Sequence, residues 1–191
     1  IPTTTPMNPT QLSRELRTAR TPDLNRRRWI IGLSLLGVAL GQIVTLYQTG
    51  IVKHLPDPPV GPFDSDKVDA SDYGYKRLDT PDAAGMIITY GLTTALAAAG
   101  GKDRALMKPW LPLVMGAKLV SDIVTNLTLA REEWQENKAL CFYCQTASVV
   151  SVASLALALA LIATTTLVLL FLFTGSVVVP LKAIVLNLLS N

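Results

Sequence analysis

The chain has 191 residues, half of them apolar, and a mean hydropathy of +0.38, a balance that points away from a soluble domain and towards a membrane protein. Its net charge of +3 does not mark a nucleic-acid binder, because the basic residues gather ahead of the first apolar segment and form no face with interleaved aromatics. Two cysteines and one histidine exclude a disulfide-stapled secreted fold and a self-contained four-ligand zinc site.

Residues 1–25 are rich in Pro, Thr and Arg and read as a basic arm, with 11–20 patterned as a short surface helix. Arg26, Arg27 and Arg28 then lead into a first span over 29–47, near the ~20 residues that cross a bilayer, with Trp29 and Tyr47 as interface anchors. No A-x-A-like site follows it, so it is expected to be a span and not a cleavable signal. A second apolar segment, 83–99, is rich in Ala, Gly and Thr and should pack closely against its neighbours, ending at Gly100 and Gly101. The third covers 110–129, with Pro109 and Pro112 suited to its first turn. The fourth covers 144–162.

Beyond Gln145 only Lys182 carries charge, and this is too much apolar sequence for one span. Two readings fit: a fifth span over 167–189 joined at Thr164, Thr165 and Thr166, or one long tilted helix to about Gly175 followed by an interfacial segment holding Pro180 and Lys182. The first is favoured. The chain thus divides into an arm (1–25), a bundle (26–163) and an additional hydrophobic segment (164–191).

Orientation follows from the distribution of basic residues. Arg14, Arg17, Arg20 and the arginine triplet precede span one, and Lys102, Arg104 and Lys108 lie between spans two and three, so these segments are expected on the cytoplasmic side. The loop over 48–82 holds four basic against seven acidic side chains and belongs outside. The expected address is a bacterial inner membrane, multi-pass, with a cytoplasmic N-terminus.

The two cysteines form one motif, Cys141, Phe142, Tyr143, Cys144, at the outer end of the fourth span. This spacing places two sulfurs about one helical turn apart, close enough for a disulfide, on the side where disulfides persist. Cys141 is expected at the helix entrance, exposed and with a lowered pKa, able to exchange with a substrate disulfide; Cys144, one turn deeper, can pass electrons to a lipid-soluble quinone. The bland alternative is a redundant disulfide or two inert thiols in a helix cap.

On span three, Lys118, Asp122, Thr125, Asn126 and Leu129 recur at helical spacing, with Ser121 alongside. Polar groups on one stripe of a membrane helix need a reason. Asp122 and Asn126 lie at the depth of the cysteines and can hydrogen-bond quinone carbonyl oxygens, with Ser148 on span four as a further candidate quinone contact. Alternatively Lys118 and Asp122, four residues apart, neutralise each other and tie the bundle together, and this reading is placed ahead for that pair. Gln42 on span one is a weaker candidate. The run from Asp64 to Asp69 resembles a calcium loop but fails it: Val68 takes a ligand position, Asp69 replaces the required Gly, and Tyr75 stands where the closing Glu should be. A solvated loop is the better reading, and His54 beside Pro56 is expected at the surface. Asn126, Leu127 and Thr128 form a glycosylation pattern inside a span, where it has no meaning.

A bundle of about four spans, a long outer loop after the first, and Cys141-Phe142-Tyr143-Cys144 opening the fourth together resemble the vitamin K epoxide reductase family of membrane thiol–quinone oxidoreductases. The loop residues Lys53 to Pro59 and Asp66 to Ser71 are also similar to bacterial members. The resemblance covers about 26–162 and implies an all-α integral membrane bundle in which Cys144 is next to the quinone and Cys141 exchanges with a reducing partner, such as a periplasmic thioredoxin-like protein. Members that shuttle electrons internally carry a second cysteine pair in the loop after span one. Here Ser65 and Ser71 occupy that region, and a hydroxyl cannot replace a thiol in exchange. Two expectations follow: a thiol–quinone oxidoreductase served by a separate partner, or a non-catalytic subunit of a larger membrane assembly whose extra C-terminal segment docks on neighbouring spans.

Overall fold

The computed structural model describes residues 8–174 apart from 78 and 103. Among them the only β-type pairing is a single parallel bridge between Phe63 and Leu140. Helix α1, Pro9–Thr18, is capped by Asn8, whose side chain accepts the Thr10 N–H. Helix α2, Pro22–Gln48, starts a full turn or more before the apolar run, because Thr21 caps it (Leu24 N to Thr21 Oγ1, 3.2 Å) and Pro22 suits its first turn. The arginine triplet therefore lies inside the helix. The long loop contains α3, Ser65–Asp69, and a 3-10 turn, Asp72–Tyr75. Then come α4, Ala83–Ala98; a single turn α5, Arg104–Met107; α6, Trp110–Asn137; and α7, Phe142–Thr174.

Helices α2, α6 and the stretch Phe142–Ala163 of α7 are long and apolar enough to cross a membrane, with α4 a shorter apolar companion of 16 residues. Outward-facing Leu35, Leu36, Val120, Val124, Val149 and Leu159 are exposed; with no charge among them, this outer face suits lipid. The expected break at Thr164 to Thr166 does not occur: α7 continues to Thr174. Thr166 Oγ1 bonds back to the Ile162 carbonyl at 2.9 Å, so the hydroxyl is satisfied within the helix and gives the chain no reason to leave it. The fifth span or interfacial segment lies outside the described residues.

Helix α2 packs against both α4 and α7, and α6 against α7. The close approach of α2 to α4 runs through Gly37 and Gly41, one turn apart. A Cβ on Gly37 would meet the Tyr90 ring at 2.5 Å, and one on Gly41 would meet Met86 and Ile87 at 3.0–3.2 Å. Removing the side chains from one helix lets the other lie on its backbone, the small-residue packing used where water does not drive helices together.

The two ends of the bundle are closed differently. At one end Arg27, 2% exposed, turns its guanidinium onto the C-terminus of α4 and donates to the carbonyls of Ala97, Ala98, Ala99, Gly100 and Gly101 at 2.9–3.1 Å. Arg104 adds the Leu96 and Ala99 carbonyls. Both cations satisfy orphan carbonyls and oppose the negative end of the helix dipole. Gly100, at φ +84°, turns the chain there as the sequence suggested. The arm folds back on this end: Arg28 donates to the carbonyls of Leu16, Arg17 and Ala19, and Lys102 pairs with Glu15.

At the other end the loop after α2 forms a roof over the start of α7. Asp64 N donates to the Leu140 carbonyl (3.1 Å) and Leu140 N to that of Pro62 (2.9 Å). Tyr143 Oη reaches the Pro56 carbonyl and Tyr73 Oη that of Leu129, while Lys76 and Arg77 pair with Glu136 and Glu132 of α6. Leu55 and Val68 are fully buried beneath it. The acidic stretch is thus only partly the solvated loop expected. Asp64 caps α3, Asp66 holds the Leu55 N–H and pairs with exposed His54, and Asp57 accepts from Ser65, but Ser65 and Asp69 point inward and are buried.

Candidate functional site

Cys141 stands immediately before the first helical residue of α7 and takes the role a serine usually fills: its Sγ accepts the Cys144 N–H at 3.2 Å, and its carbonyl accepts Gln145 N at 3.0 Å. The neighbouring N–H groups are also taken. Cys141 N donates to Glu133 Oε2 of α6 (3.2 Å), and Phe142 N to Ser65 Oγ of α3 (2.9 Å). Helices α3, α6 and α7 therefore meet on this one turn.

The burial of the two cysteine residues differs from the expectation. Cys141 is fully buried beneath α3, while Cys144 is partly accessible. The anticipated lowering of the Cys141 pKa is also not found: burial pushes its thiol up, and the hydrogen bonds from Cys144 offset this only in part. The helix end favours a thiolate, but lost hydration outweighs it at a site closed by protein on all sides.

Asp69, four residues beyond Ser65 and on the same face of α3, completes the turn. Its carboxyl oxygen and the two Sγ atoms all lie within 4.8 Å of one another. The side chain is 2% exposed, and its Oδ2 has no hydrogen-bond partner. Burial, with the nearby Asp82, Glu133 and Asp57 carboxylates acting the same way, raises its pKa to about 7 against the pull of the Cys141 thiol. Sequence reading missed Asp69, because only the fold brings α3 onto a turn more than seventy residues away.

Behind Cys144 opens a cavity of about 410 Å³ between α4, α6 and α7, within the size range of small-molecule sites. Asp122, Asn126 and Ser148, the three residues proposed from sequence to contact a cofactor, all line it together with Cys144. Cys141 is not in its wall. Gln42 is exposed on α2 and takes no part. Tyr90 and Gln145, which sequence reading did not single out, also line it. Tyr90 Oη bridges the Ala147 carbonyl and Ser151 Oγ (2.5 and 2.8 Å), and Gln145 Nε2 holds Glu133.

The expected ion pair is present. Lys118 Nζ meets Asp122 Oδ2 at 2.5 Å and also reaches the Thr89 carbonyl and Thr93 Oγ1, while Thr89 Oγ1 donates to Asp122 Oδ1 at 3.0 Å. Asp122 is thus held by α4 as well as facing the cavity, and the tying role placed ahead for this pair is the one its contacts describe. Asn126 is held more loosely: its Nδ2 reaches Ser151 Oγ at 3.4 Å, beside Tyr90, and its amide carries two N–H groups. Ser148 Oγ donates to the Cys144 carbonyl at 2.9 Å and keeps its lone pairs.

The family model for the vitamin K epoxide reductase family matches residues 28–160, which take in most of the four packed helices, with the roof, the cavity and both cysteines. No curated protein and no solved structure matches the chain. With most of its length inside the match and a helical membrane bundle carrying its one CxxC against a polar-walled cavity, the chain belongs to the vitamin K epoxide reductase family.

Proposed function

We propose that the Cys141/Cys144 dithiol reduces a quinone held in the cavity and is re-reduced by a separate thiol protein. Two S–H bonds break, one S–S bond forms, and two electrons and two protons convert the quinone to a quinol. The observation that carries this reading is the position of Cys144: it is the cysteine that lines a cavity which Asn126 and Ser148 also line. Asn126 can donate to one quinone oxygen, and Cys144 delivers the electrons. The basic arm and the Arg27 end would face the cytoplasm, and the CxxC end the outside of a bacterial inner membrane.

The test follows both reactants in vesicles with a short-chain quinone. Thiol alkylation should show two thiols lost per protein as one quinol forms, and Cys144→Ser should abolish both changes. Asn126→Leu should slow quinol formation about tenfold, the worth of roughly one hydrogen bond. A second reading, a non-catalytic subunit of a larger membrane assembly, is favoured by one observation: Ser65, not a thiol, faces the first turn of α7. A pair whose redox state ignores the quinone would leave that reading standing.

A further inference from the structure

We propose that Asp69 is the proton acceptor and donor for the Cys141 thiol, a role that rests on the dithiol–disulfide chemistry above and adds a residue from the loop to it. Three observations converge. Cys141 is sealed from water, so its proton cannot pass directly to solvent when the disulfide closes. The Asp69 carboxyl is the group beside it, with an oxygen within 4.8 Å of both sulfurs. Its Oδ2 is buried without a partner, an arrangement that costs stability where nothing uses it.

As the disulfide closes, the Cys141 S–H bond breaks, its proton passes to Asp69, and the sulfur's electron pair forms the bond to Cys144 while two electrons leave to the oxidant. On re-reduction the same carboxyl returns the proton to the Cys141 sulfur. A carboxyl titrating near neutrality is matched to both directions. Other groups face it too: Glu133 from α6, Asp82 ahead of α4, Asp57 from the loop and Tyr47 from α2, with the two thiols of α7. The carboxylates all oppose its ionisation. Among these carboxylates Asp69 is the one whose oxygen lies within 4.8 Å of both sulfurs.

The experiment measures the rate of disulfide closure against pH in the full-length protein in vesicles, with two oxidants in parallel: a short-chain quinone and a small cyclic disulfide. The wild type should show a rise in rate through about pH 7 with the cyclic disulfide. Asp69→Asn should lose that inflection and close roughly a hundredfold more slowly at pH 7, while Asp69→Glu keeps the inflection. Thermal unfolding of Asp69→Asn should match the wild type, so slower closure in a folded protein with a lost inflection separates proton transfer from general damage. A wild-type profile with no inflection near neutrality overturns the proposal without any variant, as does an unchanged profile in a folded Asp69→Asn protein. If the quinone fails to oxidise the wild type while the cyclic disulfide succeeds, the quinone reading fails and the Asp69 result still stands or falls on its own arm.

Discussion

Lys118 and Asp122 show how a charged pair behaves among apolar helices. Each neutralises the other, and both also hold α4 through Thr89 and Thr93. Lys118→Met leaves an unpaired carboxylate in the bundle and should lower stability by about 3–5 kcal/mol, whereas the double variant Lys118→Met with Asp122→Leu should recover much of that loss. Thermal unfolding in detergent of the two singles and the double checks this; a double variant no better than Lys118→Met would show that the contacts to α4, not the charges, carry the effect. This pair was legible in the sequence because its spacing of four is local. Asp69 and Ser65 were not, since their partners lie some seventy residues away and nothing in a pentapeptide announces which way its face turns.

At the scale of elements, α3 is the piece that decides whether Cys141 can be reached. It is fastened by side-chain hydrogen bonds, and Ser65 alone makes two of them, to Phe142 N and to Asp57. Ser65→Ala should loosen the roof and raise maleimide labelling of Cys141 several-fold, with Cys144 labelling little changed; equal labelling would place the barrier elsewhere. The same element should respond to pH. Burial raises the Asp69 pKa to about 7, and raises that of Asp82, so the folded state holds these protons more tightly than the unfolded chain does. Stability of the roof is therefore greatest at acid pH and falls as pH rises from about 4 to 7. Asp66, shifted the other way, loses its contribution only below that window. Protease cleavage within residues 57–76 should accordingly be faster at pH 8 than at pH 5.5, and Asp69→Asn should flatten the difference. The spans, by contrast, were readable because an apolar run of bilayer length has few alternatives; their ends were not, because caps such as Thr21, which holds Leu24 N, set helix starts by hydrogen bonds that hydropathy does not register.

For the molecule as a whole, the arginine triplet illustrates one residue class serving two ends. Sequence reading assigned it to orientation, and the structure adds that Arg27 closes α4 with five carbonyl contacts. Arg27→Met keeps the length and loses all five, and should destabilise the fold by at least about 2 kcal/mol, measured by thermal unfolding; a shift no larger than that of Arg26→Met would refute the clamp. The clamp also has a consequence for the surrounding lipid. Sixteen residues of helix reach only about 24 Å, short of a hydrocarbon layer of about 30 Å, and Arg27 and Arg104 hold their charge where α4 stops. The neighbouring helices are long enough to cross in full. A bilayer that meets α4 along this flank should therefore thin there, and the bundle should act as a sensor of membrane thickness, with its highest melting temperature in short-chain lipid and a steady decline as acyl chains lengthen.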